Sequence, residues 1–534
     1  MKRNETAQGR YDFLRSWRDQ YLWIARKAAH LTLPWLIKMD DEADISTRGQ
    51  LREPWQSAGA KGVNVLASKL MLALMPVQTS FFKLQLDEMK LDKVDGFNPK
   101  MKSEVDQSFS KIERTINQMI AASDDRVVVH QALKHLVVAG NVLIFMGKDK
   151  LKLYPLNRYV CDRDGLGNVI EIVTRERINR YVLEEQLGIT LPKEIAPKKL
   201  GLAPNAVGND GQGSYPNDMV ELYTIAKRNG KYFNWHQEVN GKKLPKTEGK
   251  APLDINPWIA LRFNTVDGEP YGRGRVEEYM GDLRSLEALT QAIVEGSAAA
   301  AKVIFVVSPS STTKAQTLSA AGNGAIVQGR PDDIGVVQVG KTADFSTAQT
   351  MIEGLEKRIA EAFLELNVRQ SERTTAEEVR MTQQELEQQL GGLFSLLTVD
   401  FLVPYLARKL STLTKAGEIP KIPKELVKPT VVAGLGAIGR GQDRDALTNY
   451  MTTIAQTMGP ESIQTYVKPL EVIKRLAAAE GIDTLNLVKT EEEMQGEQQQ
   501  AQQAAQQEQI TGQAAQLAKV GVDAAAQGGG PPPQ

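Results

Sequence analysis

At 534 residues and 42% hydrophobic content, the chain is too long for one simple core and has the composition of a soluble globular protein of about two to four domains. Its 65 Lys and Arg balance 65 Asp and Glu, which argues against a dedicated sequence-reading nucleic-acid binder; a conduit that must let nucleic acid slide stays open, because phosphate affinity grows with every cationic contact. One cysteine, Cys161, and four histidines exclude an intrachain disulfide, leave no basis for a His/Cys zinc site, and point to a reducing compartment of synthesis.

Taken in order, Arg10 to Lys38 is aromatic and helical, with Tyr11, Leu14, Trp17, Tyr21 and Ile24 at helical spacing. The N-terminus lacks the apolar core of a signal peptide. A second helix spans Gly62 to Leu74 and stops at Pro76. The apolar run Val63 to Val77 that contains it also holds Lys69, so it reads as a buried helix and not as a membrane span. Asn98 to Ala122 and Arg126 to Ala139 are two further amphipathic helices.

Gly140 then switches the period. NVLIFMG, KLKLYPL, RYVCD and NVIEIVTRERI are short and β-rich, with hairpin signals at Asp164–Gly165, Asn229–Gly230 and Asn240–Gly241. A Pro-, Gly- and Asn-rich loop, Ala196 to Asn217, interrupts them. WIALRFN is one more strand. It leads to DGEPYGRGR, whose Gly268, Gly272 and Gly274 make an irregular entry to a long helix with Val276, Tyr279, Met280, Leu283, Leu286, Leu289 and Ile293 on one face. VIFVV, AIVQG and GVVQV read as strands of a small insert, Val303 to Gly340.

The stretch from Thr342 to Leu410 organises the remainder. Met351, Leu355, Ile359 and Phe363, with Ile352 and Leu366, stripe one helix; its stripe and that of the preceding long helix have too few partners within one chain. A polar loop, Asn367 to Arg373, comes next. A third helix opens on a capping box, either Thr374 with Glu377 or Thr375 with Glu378, and runs to about Lys409, weakened at Gly391–Gly392 and bent or broken at Pro404. TVVAG is strand-like, and Ala446 to Leu476 returns to helix. Glu491 to Gln516 is Gln- and Ala-rich, and the GGGPPPQ end cannot build a core.

Two glycine motifs suggest a nucleotide enzyme and fail on context. GVVQVGKT, Gly335 to Thr342, satisfies the phosphate-loop pattern, but Val336, Val337, Gln338 and Val339 prefer an extended strand, so Lys341 and Thr342 read as strand-end residues. GLGAIG, Gly434 to Gly439, satisfies the dinucleotide pattern, yet the chain about 20 residues on reads LTNYMTTIAQTM, a helix where an acidic-ended strand is required.

Three segments together, PWQSAGAKGVNVLASKLMLALMPVQTSFFKL, EPYGRGRVEEYMGDLRSLEALTQAI and ERTTAEEVRMTQQELEQQL, resemble the portal, or head-to-tail connector, proteins of short-tailed double-stranded DNA bacteriophages. The resemblance runs from about Arg10 to about Leu476; one departure is Arg275, where the family often has proline. It implies an α+β portal fold: a mixed α/β wing (1–264), a first stem helix (265–302), a small β-containing clip (303–346), a second stem helix (347–366), a tunnel loop (367–374), a long helix returning to the wing (375–445), a helical crown (446–510) and a disordered tail (511–534).

The resemblance further implies a homo-oligomeric ring of about twelve subunits at one capsid vertex, in the virion after assembly in the host cytoplasm. Double-stranded DNA passes through it without sequence readout. Arg369, Gln370 and Arg373 of the tunnel loop would face the channel. The Val303–Gly340 region with Lys341 would dock a terminase large subunit and later a tail adaptor protein. Major capsid and scaffold proteins are further implied partners. No catalytic residue, metal, cofactor or membrane is implied. The alternatives are a nucleotide-binding enzyme built on one of the two glycine motifs, and a non-ring structural virion or scaffold protein.

Overall fold

The structure is a computed structural model. It describes residues 6–38, 53–75, 81–86, 99–190 except 149, 219–300, 304–310, 314–320, 334–337, 343–365, 395–419, 427–431 and 440–459, with a few isolated positions besides. The chain forms two compact units, 1–435 and 436–534.

The first unit opens with α1 (Ala7–Leu31), α2 (Ala58–Leu74), β1 (Phe82–Leu86), α3 (Pro99–Ala122) and α4 (Asp125–Ala139). Gly140 ends α4 at φ 70, in the left-handed region that glycine enters without a Cβ penalty. The backbone then extends into β2 (Asn141–Met146), β3 (Leu151–Pro155), β4 (Tyr159–Arg163) and β5 (Val169–Asn179). A short helix that the periodicity did not announce, α5 (Arg180–Leu187), is capped by Asn179, whose side chain accepts the Tyr181 N–H at 2.9 Å. Then come β6 (Met219–Asn229), β7 (Tyr232–Val239), β8 (Lys242–Lys243), β9 (Gly249–Pro252) and β10 (Trp258–Arg262).

The paired helices are α6 (Arg275–Glu278) with α7 (Met280–Ala300), and α9 (Ala343–Ala362). Between them lie β11 (Ile304–Val307), α8 (Ala315–Ala320) and β12 (Ile334–Val337). A five-residue π turn (Thr398–Leu402), α10 (Val403–Ala416) and β13 (Val427–Val431) complete the unit. The described part of the second unit is α11 (Arg440–Met458), with a few isolated positions.

All strand pairing is antiparallel among the described residues, and helices and strands are segregated, so the fold class is α+β. The largest sheet runs β4-β5-β6-β7-β8, with β9 also on β7; a three-stranded sheet runs β10-β2-β3. All three hairpin signals hold: Asn240 and Gly241 both take positive φ, as a tight turn between β7 and β8 requires. Strand β1 pairs with β13 from the far end of the unit, a partnership that local pattern cannot indicate.

Two expectations need correction, and a third holds in part. The buried line of α1 is Tyr11, Leu14, Arg18, Leu22 and Ala25, while Trp17 is 60% exposed. An arginine can hold that line because its guanidinium donates to the Tyr11 hydroxyl (3.0 Å), to the Leu156 and Asn157 carbonyls (3.3 and 3.1 Å) and to Asp19 (2.7 Å). In the insert, Ile326, Gln328 and Arg330 of the AIVQG region carry no strand, and Ile326 is fully exposed. Finally, the two long-helix stripes find partners within one chain only in part, since Leu289 and Ile293 are half-buried. Leu283 and Leu286 join Ile352, Leu355, Ile359 and Phe363 in one buried cluster, and Met351 is turned out.

Pro404 does not end the helical run. A π turn directly precedes it, Pro404 lies in the first turn of α10, where proline is tolerated, and α10 continues to Ala416, past the expected Lys409. The loop 196–217 and the tail 511–534 lie outside the described residues, as does 375–391 of the long helix with its capping box.

His135 on α4 is buried, its Nδ1 lacks a hydrogen-bond partner, and burial, assisted by Arg158, holds its pKa down at about 4. The folded state therefore keeps it neutral while the unfolded chain protonates it below about 6.5. Stability falls as pH drops from 6.5 toward 4, by about 3 kcal/mol from this group alone. His135→Leu is expected to remove that part of the acid slope. Urea unfolding of both proteins at pH 7.5 and 4.5 checks it; equal slopes refute it.

Candidate functional site

The root of the two long helices is where α2, α4, α6 and α9 meet. Three glycines permit the approach. A Cβ on Gly62 of α2 would lie 2.7 Å from the Phe363 ring, and one on Gly274 would lie 2.6 Å from the Val138 carbonyl oxygen. At Gly140 it would lie 2.4 Å from the Arg273 carbonyl carbon. The YGRG string is therefore a close-packing device that seats the start of the first long helix on the end of α4.

Asn141 locks this seat. Buried at the start of β2, it donates to the Gly272 carbonyl at 2.6 Å and accepts the Gly272 N–H at 2.7 Å, as a neighbouring strand would. Arg273, between the two glycines, pairs its backbone with Asn264 in both directions (2.9 and 3.1 Å). Further along, the Glu287 carboxylate accepts the N–H groups of Trp55 (3.0 Å) and Gln56 (3.4 Å). Gln56 in turn caps α2 through Gly59 (2.8 Å) and donates to the Leu31 carbonyl at the end of α1 (2.6 Å). The first long helix is thus tied by charge-assisted bonds to the α1–α2 junction.

The end of α9 is unusual. Leu364 N–H bonds the Glu361 carbonyl at 3.0 Å and Glu365 N–H the Ala360 carbonyl at 2.7 Å, with Leu364 at φ 59. This is the left-handed helix terminus that normally takes glycine; helices α4, α5 and α10 all end on one, at Gly140, Gly188 and Gly417. A leucine there costs about 1–2 kcal/mol of backbone strain. Its side chain is buried, which offsets that cost.

Three cations converge on this terminus. Arg275 Nε and Nη2 each lie 3.3 Å from the Ala362 carbonyl oxygen, Lys69 Nζ donates to the Leu364 carbonyl, and Lys61 pairs with Glu365. Arg275 also bonds Glu278 (2.7 Å) and lies 5.0 Å over the Tyr279 ring, itself 6.3 Å from Phe363. Burial lowers the Lys69 pKa, with Glu365 opposing it. Cations at a helix C-terminus meet the negative end of its dipole.

Of the residues singled out in the sequence, Arg369, Gln370, Arg373 and Lys341 lie outside the described residues. In the Val303–Gly340 region, β11 and β12 form an antiparallel pair with Gly335 opposite Val306. The first glycine of the phosphate-loop pattern thus sits inside a strand and not in a loop open to phosphate. Gly434–Gly439 lies outside the described residues, but α11 places a helix where a dinucleotide fold needs its second strand. Among the described residues no three side chains of metal-ligating type converge, and no helix is long and apolar enough to cross a membrane.

Sequence reasoning missed Lys61, Lys69, Asn141 and Glu287. Arg275 alone carried a signal, as a departure from a pattern.

A family model described as "Bacteriophage head to tail connecting protein" matches residues 4–487. The chain is 38% identical over 501 residues to the portal protein of Escherichia phage T7, covering 92% of this chain and 89% of that one. It is also 38% identical over 504 residues to the portal protein of Enterobacteria phage T3, with 92% and 89% covered. Among solved structures it is similar to the neck of an empty GTA particle computed with C6 symmetry, at TM-score 0.38 and 10% identity over 80% of this chain and 90% of that one.

Proposed function

The chain belongs to the bacteriophage head to tail connecting protein family, and from that membership we propose that it forms a ring of about twelve subunits joined by head-to-tail contacts that close by rotation. The ring sits at one vertex of the capsid, is built in the host cytoplasm together with capsid and scaffold proteins, and stays in the virion. Double-stranded DNA enters through it, driven by a terminase ATPase docked on the 303–340 insert and Lys341. A tail adaptor later takes that place, and the genome leaves by the same hole. In this role the protein itself catalyses nothing.

The observation that carries the reading is similarity over 92% of the chain to portal proteins. Two features support it. The helices α7 and α9 lie together with the β11–β12 insert between them in sequence, as a stem carrying a clip would. The zero formal net charge suits a channel in which DNA slides. Native mass spectrometry and negative-stain images of the purified protein are expected to show a closed ring; monomer or dimer alone at micromolar concentration overturns the proposal.

Residues 367–374 are the channel loop in this reading, and ring symmetry repeats Arg369, Gln370 and Arg373 around the duplex. The arginines act as a soft cationic collar that retains packaged DNA through phosphate contacts. Arg369→Ala with Arg373→Ala is expected to leave rings assembled and to let DNA leak, more so at higher salt, because those contacts are screened. Normal retention by intact mutant rings refutes the collar. Altered ring stability with unchanged salt dependence means that the arginines instead pair with Glu372, Glu377 or Glu378.

A further inference from the structure

We propose that Arg275, Lys69 and Lys61 are positioning residues that moor the end of α9 and thereby fix where, and in which direction, the chain departs beyond Glu365. The functional part of this proposal rests on the ring reading, in which the residues after Glu365 line the channel; the mooring itself does not.

The three cations come from two separate elements. Arg275 opens the first long helix, while Lys61 and Lys69 lie two turns apart on one face of α2. They grip three points within the last four residues of the α9 terminus: the Ala362 carbonyl, the Leu364 carbonyl and the Glu365 carboxylate. Carbonyls at a helix C-terminus have no partner within the helix and otherwise turn to water. Here protein cations take up two of them. Leu364 would not hold its left-handed backbone unaided, because a leucine has easier conformations that unwind the last turn. Its buried side chain and the adjacent Phe363, packed on Gly62, resist unwinding from within. The cations resist it from outside. Hydrogen bonds to charged donors are the stronger class, and two of the cations direct them at the Ala362 and Leu364 carbonyls. Such a triple hold is more than a surface helix end needs. It suits a place where the exit direction of the chain matters and where a long duplex would pull on the loop beyond the helix.

The variants are Lys69→Met, which keeps the aliphatic stem, Arg275→Met, the pair together, and Arg275→Lys as the conservative replacement. Hydrogen exchange is read by mass spectrometry on the purified full chain, whatever its oligomeric state, for peptides spanning Ala360–Glu365, with peptides of α7 as the internal reference. The expected result is exchange at the Leu364 and Glu365 amides at least tenfold faster in the pair, several-fold faster in each single Met variant, and largely restored in Arg275→Lys, with α7 unchanged. In particles, the same variants are expected to retain several-fold fewer full genomes while forming rings at normal yield, again restored by Arg275→Lys. Unchanged exchange in folded Lys69→Met protein overturns the mooring. Faster exchange with normal genome retention overturns its positioning role. Unmodified protein that forms no ring would sink the ring reading alone, since the exchange measurement needs neither ring nor DNA.

Discussion

Gly140→Ala is expected to cost about 4 kcal/mol or more and to abolish recovery of folded protein. Two penalties add. At φ 70 any residue with a Cβ is strained, by about 1–2 kcal/mol. The new Cβ would also lie 2.4 Å from the Arg273 carbonyl carbon and 2.5 Å from the Gly274 nitrogen. Those atoms are backbone and cannot swing aside, so the whole EPYGRG segment would have to lift off α4, taking with it both Asn141 bonds to Gly272. Gly268 is the matched control: its φ is 78 and nothing lies within 4 Å of a Cβ there. Gly268→Ala should therefore cost only the backbone term, about 1–2 kcal/mol. Denaturant unfolding of the two variants side by side measures the difference. Equal losses would show that the seat between α4 and the first long helix is not tight.

The second large effect is expected from Asp125→Ala, at about 3–5 kcal/mol. Asp125 is 1% exposed at the start of α4, and its Oδ2 accepts both the Tyr405 hydroxyl and the Lys409 ammonium at 2.6 Å. Removing the carboxylate strands two polar groups on α10, one of them a buried tyrosine hydroxyl. Tyr405→Phe is expected to cost less, about 1–2 kcal/mol, because the carboxylate keeps its lysine. A cycle between Asp125→Ala and Lys409→Met isolates the ion pair: the double variant should lose clearly less than the two singles summed. Strict additivity would mean that α10 is held on α4 by packing alone.

Most of the architecture was legible because its signals are local. The switch of period at Gly140, the Asn-Gly turns and the spacing from Val276 to Ile293 each report on neighbours a few residues away. The failures share one cause. Trp17 reads as core by hydropathy and Arg18 does not, yet the arginine's partners, Leu156 and Asn157, lie about 140 residues on and no window contains them. AIVQG is apolar enough for a strand, but Ile326 is left fully exposed. Strand β1 depends on β13, more than 300 residues away. The mooring is the sharpest case. Arg275 was visible as a departure, but its reach to Ala362 spans 87 residues, and Leu364 gives no hint in sequence of a positive φ.

The pairing of β1 with β13, and the grip of Asp125 on Tyr405 and Lys409, set a timetable for synthesis. On a ribosome adding about 5–20 residues per second, the strand and the carboxylate emerge roughly 15–60 s before the partners that complete them. Throughout that interval the first unit is an open book, with one strand edge bare and one helix undocked. Closure comes only when Val431 has cleared the exit tunnel. Assembly of the proposed ring would then draw on finished chains and not on growing ones, and a nascent chain that stalls before Thr398 would present an unpaired strand to its neighbours instead of a finished surface.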